Sequence, residues 1–145
     1  MPAKGANGVG RFSVEFGVAN YADLIRAQDG TLPPDQVRRE TIQGVVDSGA
    51  TRLVLPQAVV KRLGLPPGNP ILVRYADGRR AQRAGAEGVY VEVLGRHGTF
   101  TAVVEPRRKT ALLGAIVLED LDLVVDCTAQ RLVPRDPRSL TSEIE

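Results

Sequence analysis

Apolar and polar positions alternate over Arg11 to Ala19, where Phe12, Val14 and Phe16 are separated by Ser13 and Glu15. A period of two sends every second side chain to one face, as a half-buried strand requires. Residues 20–40 break the pattern with the turn signals Asp29-Gly30 and Pro33-Pro34. They predict a long connection with a short turn of helix near Tyr21 to Arg26. Thr41 to Asp47 returns to strand character, Ser48-Gly49 makes a turn, and Arg52 to Leu55 resumes as a strand. Pro56 suits the first turn of a helix on which Val59, Val60 and Leu63 share a face. Gly64 is placed to stop that helix, and Pro66-Pro67 prevents its continuation.

From Ile71 onward the pattern is strand and turn. Ile71 to Tyr75 leads into Asp77-Gly78, a strong hairpin signal. Val89, Val91 and Val93 alternate with Tyr90 and Glu92; a turn over Gly95 to Gly98 and a strand over Thr99 to Val104 follow. Ala111-Leu112-Leu113-Gly114 is an apolar run ending in glycine, and Ala115 to Leu121 reads as a short helix. Leu123 to Val125 is a buried-strand candidate, and Gln130 to Val133 is the strand after its turn. The sum is a mostly β chain with one or two short helices, which favours a closed barrel or a sandwich. One domain is expected over residues 11–134, with a loose Gly/Ala-rich segment at 1–10 and a polar, frayed tail at 135–145.

Composition agrees with this picture. A chain of 145 residues with 43% hydrophobic and 25% charged residues can build one core. The net charge is only +2, and Arg38-Arg39, Arg79-Arg80 and Arg107-Arg108-Lys109 are short, scattered groups that read as solvated turns. With six aromatics and no Trp there is little to stack bases on, so no nucleic-acid partner is expected. A single cysteine excludes an intrachain disulfide and any multi-cysteine metal site; Cys127 is expected to be a buried or semi-buried thiol without chemistry. His97, the only histidine, falls in a predicted turn. Glu119, Asp120 and Asp122 lack metal-loop spacing and read as a polar helix face. No metal or cofactor is expected. No apolar run resembles a signal peptide or a membrane span, so no membrane partner and a cytoplasmic location are expected.

The chemistry-bearing segment is Ile42 to Pro56, IQGVVDSGATRLVLP. Asp47 follows apolar Val45-Val46, so a strand delivers a carboxylate into a dry region. Ser48 and Gly49 follow at once: glycine permits a tight turn, and a hydroxyl can brace it. Ala50 is small enough for a ligand backbone to approach. Such a carboxylate is costly to hold, and the cost makes sense if a second carboxylate and a water share the site.

Val46-Asp47-Ser48-Gly49-Ala50 resembles the Asp-Thr/Ser-Gly-Ala signature of the retropepsin-like aspartic proteases. Ala111-Leu112-Leu113-Gly114 resembles the family's second apolar-apolar-Gly element, which leads into a short helix. The two lie about 65 residues apart, similar to a single-lobe retropepsin, and Tyr75 to Arg79 falls where the family carries its flap hairpin. Leu55-Pro56 and Leu63-Gly64-Leu65 resemble pieces of the bacterial versions. The resemblance covers residues 11–134. It implies a closed β barrel of the retropepsin-like acid protease type, in which Asp47 is catalytic and Ser48 and Gly49 form the active-site turn. Ala50, Thr51 and Arg52 are implied as substrate-binding, as are Asp77 and Gly78 at the flap tip.

Only one Asp-Ser-Gly is present; Asp126-Cys127-Thr128 lacks the glycine. The resemblance therefore implies a homodimer that hydrolyses peptide bonds in a peptide or protein substrate, one Asp47 coming from each chain. Ser48 in place of the commoner threonine, and the long stretch before Asp47, depart from the family pattern. The alternative is a catalytically silent dimer of the same fold that binds a peptide or protein. A basic nucleic-acid-binding barrel ranks last.

Overall fold

The computed structural model describes residues 11–145, so the expected loose segment at 1–10 lies outside the described residues. Strand β1 (Arg11–Asn20) carries the predicted alternation and buries Phe16 and Val18 at its second half. Helix α1 (Tyr21–Gln28) is longer than the expected turn, because Asn20 Oδ1 caps it by accepting the Asp23 N–H at 3.0 Å. Strand β2 (Arg39–Asp47) and strand β3 (Leu53–Pro56) flank the Ser48-Gly49 turn. Helix α2 (Gln57–Leu63) turns Val59 and Leu63 into the core and ends at Gly64, as expected.

Strands β4 (Pro67–Arg74) and β5 (Arg80–Val93) form the predicted hairpin around Asp77-Gly78. β5 runs to 14 residues, well beyond the alternating valines. Strand β6 (Arg96–Glu105) begins earlier than expected. The turn before it is the two residues Leu94 and Gly95, with φ of 53° and 77°, rather than Gly95 to Gly98. Two left-handed residues match the twist of the flanking strands, so Val93 pairs directly with Arg96. His97 consequently lies on a strand, exposed, with its ring stacked 5.4 Å from that of Tyr90. Strand β7 (Ala111–Leu113), helix α3 (Ala115–Asp120) and the hairpin of β8 (Leu123–Asp126) with β9 (Arg131–Pro134) complete the chain.

The main sheet runs β1-β2-β7-β3-β6-β5-β4, and a further pairing of β1 with β5 closes it into a six-stranded barrel with β4 outside the ring. Closure leaves those six strands without a free edge. Val46, Leu55, Val89, Val91, Leu113 and Val117 are fully buried inside it. The fold is mostly β, as the pattern predicted, with three short α-helices where one or two were expected.

Three polar expectations change. Arg38 is no free turn cation: its guanidinium and backbone N–H donate to the buried Asp23 carboxylate at 2.8–3.0 Å. Asp122 is not on a helix face; it follows α3, is buried, and accepts from Arg135 Nε at 2.7 Å and the Thr141 N–H at 3.0 Å. Arg96 donates to the carbonyls of Leu121, Asp122, Asp136 and Ser139, so residues 135–141 are tied to the barrel rather than frayed. Cys127 is exposed, because the turn between β8 and β9 carries it away from the core. Val124 of the expected buried strand is also exposed, since the two-stranded β8–β9 sheet covers one face only.

Candidate active site

Asp47 is the last residue of β2 and follows the fully buried Val46. The chain turns at once: the Ala50 N–H donates to the Asp47 carbonyl at 3.1 Å, and the Gly49 N–H donates to Asp47 Oδ1 at 3.0 Å. The second oxygen faces Arg11, which opposes Asp47 in the β1–β2 register and brings Nε to 3.6 Å from Oδ2. The Asp47 side chain is 24% exposed, so in the single chain it sits at a lip rather than in the expected dry region. Ser48 is exposed, and its hydroxyl bonds to no group among the described residues.

A second segment holds this turn in place. β7 lies between β2 and β3, parallel to β2 through Val45–Leu112 and Val46–Leu113 and antiparallel to β3 at Val54–Leu112. The Ala115 N–H then donates to the Ala50 carbonyl at 2.7 Å, and the Ile116 N–H to the Thr51 carbonyl at 2.9 Å. Gly114 makes the approach possible. A Cβ there would stand 2.5 Å from the Arg52 carbonyl oxygen and 2.8 Å from that of Ala50. The two motifs singled out in the sequence thus form one unit.

The turn borders a cleft of about 440 Å³ lined by Gly49, Ala50, Thr51, Arg52 and Val54, by Ile71 to Arg74 of β4, and by Val103 and Glu105 of β6. Ala50, Thr51 and Arg52 are therefore gathered at one cavity, beside Asp47. Asp77 and Gly78 are not on its lining; they cap the exposed hairpin tip, where Arg79 Nε donates to Asp77 Oδ2 at 2.7 Å. The Arg79 side chain holds the Asp77 carboxyl below its ordinary value.

The hairpin is fastened to the barrel near its tip by side chains to which the sequence reading gave no bonding role. Tyr75 Oη donates to Glu105 Oε2 at 2.6 Å, while Arg83 Nε donates to Tyr75 Oη at 3.1 Å and to Glu105 Oε1 at 3.0 Å. The bond to Glu105 pushes the Tyr75 phenol above its ordinary value. An Asp-Gly hairpin register places Tyr75 and Arg83 on one face, so that much was discoverable. Glu105 enters from β6 only when the barrel closes.

A family model described as gag-polyprotein putative aspartyl protease matches residues 36–120, a span that holds Asp47, the cleft turn, the hairpin and Gly114. Among solved structures, an EIAV protease complexed with an inhibitor is similar at 24% identity, with a TM-score of 0.45, over 56% of this chain and 77% of that one. No curated protein matches the chain.

Proposed function

Since the chain belongs to the gag-polyprotein putative aspartyl protease family, we propose that it is an aspartic endopeptidase, active as a homodimer in which each chain supplies one Asp47 carboxylate. The observation that carries the reading is the setting of Asp47. It stands at a strand end, braced by the Gly49 N–H, with its carboxylate still reachable beside a peptide-sized cleft.

Two carboxylates brought together share one proton, because both cannot ionise easily at close range. They hold one water between them. The ionised member takes a proton from that water, which attacks the scissile carbonyl carbon; the protonated member donates to the carbonyl oxygen. The resulting gem-diol collapses as the C–N bond breaks: the amine takes the proton drawn from the water, and one hydroxyl returns a proton to the carboxylate that had donated. The Gly49 N–H orients the carboxylate that does this work. Ala50, Thr51 and Arg52 line the path of the peptide. The exposed Ser48 hydroxyl is free to brace its counterpart across the two-fold axis, and Asp77 and Gly78 close over the bound strand as a lid.

The test is incubation of the full chain with a diverse peptide mixture from acidic to neutral pH, read by mass spectrometry. Wild type should cut, and Asp47→Asn should lose roughly 10²–10⁴-fold in rate. Cleavage at equal rates would remove Asp47 from the mechanism. Peptide retention without cleavage by wild type would identify a binding module instead.

A further inference from the structure

The charges lining the cleft are unbalanced. Arg52, from the turn after Asp47, and Arg74, from the end of β4, both line it, and both are exposed. Neither forms an ion pair among the described residues, whereas Arg11, Arg38, Arg62, Arg79, Arg83, Arg131, Arg135 and Arg138 all do. The one acid on the lining is Glu105, and it is already engaged: Arg83 and Tyr75 take both its oxygens, and its side chain is 12% exposed. The remaining lining is largely apolar, with Val54, Ile71, Val73 and Val103.

From this we infer that the cleft selects a peptide carrying a carboxylate side chain, which Arg52 and Arg74 receive while apolar neighbours fill the rest; the inference rests on the peptidase reading of the same site. Two like charges on one concave surface raise its positive potential, and an incoming carboxylate relieves it. A guanidinium presents a planar fork that matches a carboxylate, so the gain depends on orientation as well as charge. The engaged state of Glu105 matters as much. Were it free, it would satisfy one of the arginines and repel the ligand.

The experiment uses full-length Asp47→Asn, so that ligands are bound without being consumed. The probes are labelled Ala/Val decapeptides carrying a single Glu, or a single Gln, at successive positions, with affinity read by fluorescence anisotropy. At one position the Glu peptide should bind about tenfold tighter than its Gln partner. The advantage should shrink in Arg52→Gln and in Arg74→Gln, survive in Lys61→Gln, and fall as salt rises. Equal affinity within every pair, no binding by any probe, or an advantage untouched by both arginine changes would overturn the inference. Wild type is assayed on the same peptides for cleavage. Hydrolysis without a Glu preference removes the selectivity and leaves the peptidase. A Glu preference without hydrolysis leaves the selectivity and removes the peptidase.

Discussion

Gly114 shows how much the site rests on a missing side chain. Its neighbours across the gap are backbone atoms of Ala50 and Arg52, which belong to a turn pinned by two hydrogen bonds and cannot retreat as a flexible side chain could. Gly114→Ala would force the turn away from α3. We expect a destabilisation of about 1–3 kcal/mol, typical of overpacking, seen as a lower denaturation midpoint. A shifted turn would also displace Asp47, so cleavage should fall by more than the loss of folded protein explains. Unchanged stability would mean that the turn tolerates the displacement and that the close approach is incidental.

At the scale of elements, two fastenings set where the barrel's attachments sit. The first joins α1 to the start of β2. Asp23 is buried, its Arg38 partner is half exposed, and Asn20 adds a bond from Nδ2 to the Leu63 carbonyl at 2.8 Å. Arg38 also lies against Gly64, where a Cβ would meet its guanidinium. The Arg38 hydrogen bond holds the Asp23 carboxyl below its ordinary value. A carboxyl shifted downward by folding contributes stability above its unfolded value, about pH 4, and that contribution fades as pH falls through the folded value. Asp23→Asn should therefore cost about 2 kcal/mol near neutrality, less than for a fully buried pair because Arg38 is partly solvated. The gap between the two proteins should narrow in acid. Urea midpoints at two pH values measure it, and a constant gap would show that charge is not the cause. The second fastening is Tyr75–Glu105–Arg83, which ties the hairpin near its tip to β6. Removing the hydroxyl in Tyr75→Phe deletes a bond worth about 1 kcal/mol, so amides over residues 74–80 should exchange roughly fivefold faster. Exchange indistinguishable from wild type would mean that the hairpin is held by its ladder alone.

For the whole molecule, the proposed dimer makes a prediction about proton uptake. Two facing carboxylates take up a proton as the chains associate, so this contribution to association is present at low pH and lost as pH rises. Asp47→Asn removes the repulsion and keeps the shape. It should tighten the dimer at neutral pH by on the order of 1.4 kcal/mol, tenfold in Kd, and change it much less under mildly acidic conditions. Sedimentation over a dilution series of both proteins gives the answer directly. A dimer indifferent to the substitution at neutral pH would mean that the two aspartates do not meet.

Much of this architecture could be read from neighbours along the chain. The alternation at Phe12, Val14 and Phe16, the stop at Gly64 and the Asp77-Gly78 hairpin follow from side-chain period and local backbone preference. The Asp47-Ser48-Gly49 turn belongs with them, since each of its bonds spans three residues or fewer. Packing alone placed β7 between β2 and β3, because a three-residue strand carries no signal of which partners it will find. It likewise decided that Arg38 answers Asp23, that Asp122 is buried and Cys127 is not, and that Glu105 fastens the hairpin. Those outcomes depend on groups distant in sequence meeting when the ring closes, and a polar residue takes its role from whatever charge or carbonyl it then faces.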